Sequence, residues 1–319
     1  MRVLVAGATG VIGRQLTGLL ADKGHEVIAL ARNPERAAAS GSGVRAVRAD
    51  ALDADGLSAA VVRAEPEAVV NLLTAIPRKV DSRRLDRDFA ATNLLRTRGT
   101  RNLVEAAKAA GVQRMVGESV AFGYRPAPDG GLRDETSPLW TAGPEQFRPV
   151  VTALRELEER TTGEGGTVLR FGHLYGPGSA FDRDGNFTQQ VRKRMLPLVG
   201  EGNAVFSFIH AQDAAAAVLK ALEGDQDVVR GATYNIVDDD PAPVSTWLPE
   251  LARVLGAKAP MRVPVWLVRP MIGSYGVAFM NELQGADNGL AARGLGWQPS
   301  RASWREGFAA ELGASAPNR

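Results

Sequence analysis

The chain contains no cysteine, which excludes disulfides, thiol nucleophiles and thiolate-bound metals. Histidine is nearly as scarce. His25, His173 and His210 are scattered and form no metal-ligand spacing. His25 follows Gly24 in a turn and is expected to be exposed. No stretch approaches the ~18 uninterrupted apolar residues of a membrane span. No charged leader precedes a long apolar run at Met1, so neither a signal peptide nor membrane attachment is expected, and the reading is of a cytoplasmic protein. Neither sign of charge dominates: 38 Lys and Arg face 36 Asp and Glu, a net +2, with the basic residues spread along the chain. Nucleic acid needs a concentrated basic face and is not an expected partner. A small-molecule substrate is.

Of the 319 residues, 45% are hydrophobic and 23% charged, enough for one large domain or two lobes sharing a core. Short apolar runs at Val3–Ala6, Val27–Ala31, Val44–Val47, Ala68–Leu73, Arg114–Gly117 and Thr167–Arg170 read as buried strands. Helical patterns lie between them at Gly10–Lys23, Asp53–Ala64, Thr92–Ala110 and Val150–Thr162, with Asp53 as an N-cap and Gly111 as a stop. This alternation predicts an α/β fold with a doubly wound parallel sheet of Rossmann type. Residues 1–171 form the nucleotide-binding domain in this reading. Residues 203–237 return to it through a strand at Val205–Ile209, a helix at Gln212–Leu222 and a strand at Tyr234–Val237. Residues 172–202 and 238–319 build a smaller substrate-binding lobe.

The first strand runs into Gly7-Ala8-Thr9-Gly10-Val11-Ile12-Gly13. Gly7 permits the tight turn, Gly10 lets backbone approach a pyrophosphate, and Gly13 lets helix pack on sheet. The free N–H groups of the helix N-terminus then face the phosphates. The strand–helix junction supplies the context that such a pattern needs. The second strand ends at Arg32, with Arg36 one turn further on, where an NAD site would carry a carboxylate for the ribose 2′-hydroxyl. A guanidinium suits a 2′-phosphate, so NADP(H) is favoured over NAD(H). Asp50 and Ala51 after the third strand and Leu73 after the fourth complete the candidate cofactor set. Asp50 is read equally as an adenine contact and as a loop residue.

Together these segments resemble the short-chain dehydrogenase/reductase superfamily, in its extended, epimerase/dehydratase-like branch. GATGVIG, the Gly99-Thr100-Arg101-Asn102-Leu103 segment after Asn93, Arg170 with Tyr175-Gly176-Pro177-Gly178, Phe208-Ile209-His210-Ala211-Gln212-Asp213 and Leu295-Gly296-Trp297-Gln298-Pro299 occur in that branch's order. The resemblance implies a Ser or Thr, a Tyr, and a Lys four residues after the Tyr, the phenol exchanging a proton as hydride moves. Here the pattern breaks. No tyrosine has Lys four residues on, and Val150 and Leu154 occupy the expected Tyr and Lys positions.

Ser119 matches the family's catalytic Ser within a residue, and Glu118 beside it is an acid or base if buried. Tyr124, from the following loop, and His173, three residues after Arg170, are the remaining candidates for a replacement donor. His210 is expected to brace a helix, and Asp238-Asp239-Asp240 reads as a strand end and turn. The resemblance also implies a homodimer built through paired helices. The expected function is an NADP(H)-dependent oxidoreductase or epimerase-like enzyme acting on a small metabolite with a non-standard proton donor. Two alternatives stand beside it: a redox-neutral isomerase, dehydratase or cyclase, and a non-catalytic NADP(H)-sensing protein.

Overall fold

The computed structural model describes residues 1–35 and 43–313, so Arg36 lies outside the described residues. Strand β1 (Arg2–Ala6) is buried on both faces, with Val3, Leu4, Val5 and Ala6 all at 0% exposure. A parallel sheet covered by helices demands this near-continuous apolar run. β1 pairs in parallel with β2 (Glu26–Ala31) and β4 (Ala68–Asn71). The other strands are β3 (Val44–Arg48), β5 (Arg114–Val120), β6 (Thr167–Phe171) and β7 (Thr233–Ile236), giving the order β7-β6-β5-β4-β1-β2-β3. The order reverses beside β1, where open α/β sheets leave a crevice at their strand ends.

Alternation along the strands decides which helices cover which face. Val3 and Val5 pack with Leu16 and Leu20 of α1 (Val11–Asp22) and with Val218 and Leu222 of the helix at Ala211–Glu223. Leu4 and Ala6 point the other way, onto Leu57 and Val61 of α2 (Ala54–Ala64) and Leu103 and Ala107 of α3 (Thr100–Ala109). Asp53 caps α2 by accepting from the Gly56 N–H at 3.2 Å. Gly111 turns the chain after α3 at φ +70°.

Two expectations need correction. Val205–Ile209 is not one strand of the main sheet. It divides at Ser207 into Val205–Phe206, antiparallel to Ala242–Pro243, and Phe208–His210, parallel to His173–Tyr175. The backbone of Ser207 is taken instead by His173, whose N–H donates to the Ser207 carbonyl at 2.8 Å. His25 is not exposed either: its side chain is 10% exposed and sits 3.0 Å from Glu223, with the Met1 amino group 3.3 Å away. The long helical pattern at Thr92–Ala110 also contains a wider π-helical turn at Leu95–Gly99.

The later segments build a second core around Phe206, Phe208, Trp247, Trp304 and Phe308. Asp213 ties it to the sheet, its carboxylate accepting from Ser300 Oγ at 2.6 Å, Ser300 N at 3.0 Å and Arg301 N at 3.2 Å. Trp297 Nε1 donates to the Asp213 carbonyl at 3.2 Å. The two late sequence motifs therefore meet at a single residue. His210 caps the same helix by accepting from Gln212 N at 3.2 Å. Replacing Asp213 by Ala strands three donors, and Asp213→Ala should lower unfolding free energy by roughly 2–4 kcal/mol. Urea unfolding checks this, with an unchanged midpoint as the contrary outcome.

Candidate active site

A cleft of about 1010 Å³ opens at the strand ends. Gly7, Gly10, Val11, Ile12 and Gly13 line one end of it; Glu118, Ser119 and His173 line it further along. The glycine loop is shaped by close backbone packing. Gly7 adopts φ +96° with the Leu72 carbonyl against the place a side chain would take, and Gly13 lies against the Gly7 carbonyl. A side chain at Gly10 would meet only the Gly7 carbonyl, at 3.1 Å, before open space. No side chain caps α1, so its first N–H groups are left for a ligand. A cradle of bare backbone at an uncapped helix fits a dinucleotide pyrophosphate.

The other cofactor candidates sit around this end. Thr9 is exposed, its carbonyl accepting from Arg14 Nε at 2.9 Å. Arg32 is exposed at the tip of β2. Asp50 accepts from the Leu52 N–H at 2.9 Å, and Ala51 is buried with its carbonyl held by Asn102 at 2.9 Å. Leu72 lines the cleft, whereas Leu73 packs into the core below.

The proton-donor candidates are separated by the fold. Ser119 is fully buried at the cleft floor, and its Oγ donates to Glu158 Oε1 at 2.5 Å. Glu158, on α4 (Arg148–Gly163), also receives Arg170 Nε at 2.9 Å and Nη2 at 2.6 Å. Arg170 in turn donates to the Tyr124 hydroxyl at 2.8 Å, and that hydroxyl donates to Asn235 Oδ1 at 2.6 Å. Tyr124 is 2% exposed and lies outside the cleft lining. Burial pushes its phenol up to about 12. The structure does not bring Tyr124 together with Ser119 and His173, because its loop folds toward β7 rather than over the cleft.

His173 is stacked between Phe206, 3.8 Å away and nearly parallel at 8°, and Phe122 at 4.4 Å. Its Nδ1 lies 3.3 Å from the Ser207 carbonyl, which assigns the proton to Nδ1 and leaves Nε2 as a buried lone pair without a partner among the described residues. Burial drives the imidazole down to about 3. At neutral pH the ring is an uncharged acceptor. Val150 lines the cleft with Phe147 and Phe171, and Leu154 is fully buried in the core behind it. The expected Tyr position thus presents an isopropyl group.

Arg96 was missed in the sequence. It lies on the π-helical turn, is 3% exposed, lines the cleft, and leaves Nη1 without a partner. The signal was available: Arg96 falls midway between Thr92 and Thr100, both fully buried, on the inward face of the helix. Glu118 faces it electrostatically. Burial raises the Glu118 carboxyl to about 7, with the Arg96 charge opposing the rise. Arg96 itself is brought down to about 10 by burial, against the pull of Glu118 and Glu158. Among the described residues no cluster of His, Asp and Glu could hold a metal, and no helix is long and apolar enough to cross a membrane.

The buried neutral His173 sets a pH dependence. A folded state that binds fewer protons than the unfolded chain loses stability as pH falls from about 6.5 toward 3. His173→Phe keeps the stack and removes the titration. It should lose less stability than the unmutated protein between pH 7 and pH 4, by roughly 2–3 kcal/mol. Chemical denaturation at the two pH values measures this, and parallel losses in both proteins would contradict it.

Comparison with known proteins places these features. Residues 3–237 match the model of the NAD dependent epimerase/dehydratase family. A 3-diazoavenalumate denitrifying reductase from a Streptomyces species is 42% identical over 320 residues, covering 98% of this chain and 100% of that protein. Among solved structures, Thermotoga maritima UDP-glucose 4-epimerase with UDP-glucose aligns with a TM-score of 0.75 at 21% identity, over 98% of this chain and 97% of that one. Human epimerase family protein SDR39U1 with NADPH gives a TM-score of 0.74 at 23% identity, over 98% and 99%. The chain belongs to the NAD dependent epimerase/dehydratase family, on the short-chain dehydrogenase/reductase fold, and is an enzyme of the oxidoreductase type.

Proposed function

We propose that the protein is an NADPH-dependent reductase that removes nitrogen from an aryl diazo compound, replacing the C–N bond by C–H. The observation that carries this reading is the side chain at position 150. Val150 lines the cleft where the family places its tyrosine, and Leu154 is buried in apolar core where the lysine belongs. Reduction of a carbonyl needs a proton for the oxygen. Reduction of an aryl diazonium does not: the C–N bond breaks, its electron pair leaves with dinitrogen, and hydride forms the new C–H bond. Charge and atoms balance without an acid. The Streptomyces relative, 42% identical, carries a name with all three elements: diazo substrate, loss of nitrogen and reduction.

Side chains of the cleft suit a flat aromatic guest. Phe122, Phe147, Phe171 and Phe181 line it with Val150 and Tyr275, apolar surface that excludes water from the reacting carbon. Ser119 has its proton committed to Glu158, and neutral His173 offers Nε2 as an acceptor. Neither is arranged to give up a proton. When bound, a nicotinamide dinucleotide supplies the hydride. The loop Gly7–Gly13 would hold its pyrophosphate, and Arg32 a 2′-phosphate.

A second reading has one observation in its favour. Glu118 lines the cleft with its carboxyl raised to about 7 and would serve as the donor in a carbonyl reduction. The reactions separate cleanly. With NADPH and a diazotised 3-amino-4-hydroxycinnamate, one dinitrogen should be released per NADPH consumed. A carbonyl panel reduced without gas release would establish the second reading in place of the first.

Cofactor choice is tested separately. NADPH should bind more tightly than NADH, and Arg32→Ala should remove about 1–3 kcal/mol of that preference. Equal affinities in the unmutated protein, by calorimetric titration, would contradict the role given to Arg32.

A further inference from the structure

A guanidinium that is 97% buried without a matched carboxylate needs an explanation, because desolvated charge costs several kcal/mol unless paired. Arg96 is such a group. Its neighbour Glu158 is already committed, bridging Ser119 and both arms of Arg170. Its other electrostatic partner, Glu118, makes no ion pair with it within 4.0 Å among the described residues. Nη1 is buried with no acceptor, on a side chain that lines the substrate cleft.

The backbone is built to put it there. Asn71, at the end of β4, donates through Nδ2 to Thr100 Oγ1 at 3.0 Å and pins the start of α3 to the sheet. Thr100 Oγ1 reaches back to the Leu95 carbonyl at 3.4 Å across the π turn, and Thr97 Oγ1 donates to the Asn93 carbonyl at 2.9 Å. A π turn carries one more residue than an α turn and often marks a functional position. Here the widened turn carries Arg96, buried and lining the same cleft as the phenylalanines.

We infer that Arg96 is the anion receptor of the substrate pocket, and that it pairs with an anionic oxygen of an aryl substrate, a carboxylate or a phenolate. The inference deepens the reductase reading and takes the aryl part of the substrate from it. A planar guanidinium receives such an oxygen through charge-assisted hydrogen bonds, stronger than neutral ones. Glu118 opposes an incoming anion while charged, so it tunes affinity rather than providing it. The pocket selects aromatic acids or phenolates over neutral arenes of the same shape.

The test uses binding, so it stands whether or not diazo reduction is observed. Protein saturated with NADP⁺ is titrated calorimetrically at pH 8 with 4-hydroxycinnamate, its methyl ester, and 4-methoxycinnamate. Arg96→Met should weaken 4-hydroxycinnamate at least tenfold, with Arg96→Lys between it and the unmutated protein and NADP⁺ affinity within twofold for both. Loss of binding by the ester identifies the carboxylate as the anion; loss by the methoxy acid identifies the phenolate. Glu118→Gln, which removes the opposing charge without disturbing the turn, should tighten 4-hydroxycinnamate at least threefold even if Arg96→Met does not fold. Any of three results overturns the inference: no binding of any probe to the unmutated protein, affinities unchanged by Arg96→Met, or, where the methionine variant is unfolded, affinities unchanged by Glu118→Gln. Arg96-dependent binding without dinitrogen release would overturn the proposed reaction alone.

Discussion

The buried ion pair between Glu158 and Arg170 ties α4 and β6 to β5 and to the loop that carries Tyr124. Both side chains are 9% exposed, and they meet at 2.6 Å. Their remaining hydrogen-bonding capacity fixes Ser119 on β5 and Tyr124 on the loop beyond it, and the Tyr124 hydroxyl carries the network on to Asn235 on β7. A pair this deep pays for its desolvation only with satisfied partners on all sides. Truncating either member would leave a buried charge, a loss on the order of 3–5 kcal/mol. Within the network the two candidate hydroxyls, Ser119 and Tyr124, each donate to a partner, Glu158 and Asn235.

The same constraint shapes the chemistry of the cleft. With Ser119 held from behind and His173 neutral between two phenylalanines, the floor offers acceptors, aromatic faces and the buried Arg96 guanidinium. Val150 and Leu154 continue that character along α4. In an oxidoreductase scaffold, such a floor suits a reaction in which hydride transfer completes the bond change and the leaving group departs as a neutral gas. Glu118 departs from this pattern, and the Arg96 charge opposes the rise of its carboxyl.

Much of the sheet was legible in the sequence because parallel strands buried on both faces must be apolar throughout. Val3–Ala6 and the run Ala68–Leu73, of which the strand takes Ala68–Asn71, needed no tertiary information, and neither did the glycine loop, whose spacing is dictated by backbone approach. The segment at Val205–Ile209 was not legible in the same way. Its apolar run suits one strand, but its two halves pair with different strands, Val205–Phe206 with Ala242–Pro243 and Phe208–His210 with His173–Tyr175. The surroundings of Tyr124 and His173 were not legible for a related reason: Asn235 for the first, and Phe122 and Phe206 for the second, are brought in from elsewhere in the sequence. Arg96 carried a readable sign, a charged residue on the inward face of a helix, but the π turn it sits on and the cleft it lines are set by tertiary packing. The missing Tyr and Lys were plain from spacing alone.

The central claim is that hydride alone supplies the hydrogen that replaces nitrogen. Turnover of a diazotised aminohydroxycinnamate with NADPH deuterated at the transferred position, in ordinary water, tests it directly. The account predicts arene bearing one deuterium on the carbon that lost nitrogen, with dinitrogen released in equal amount. Protium from water at that carbon would contradict it.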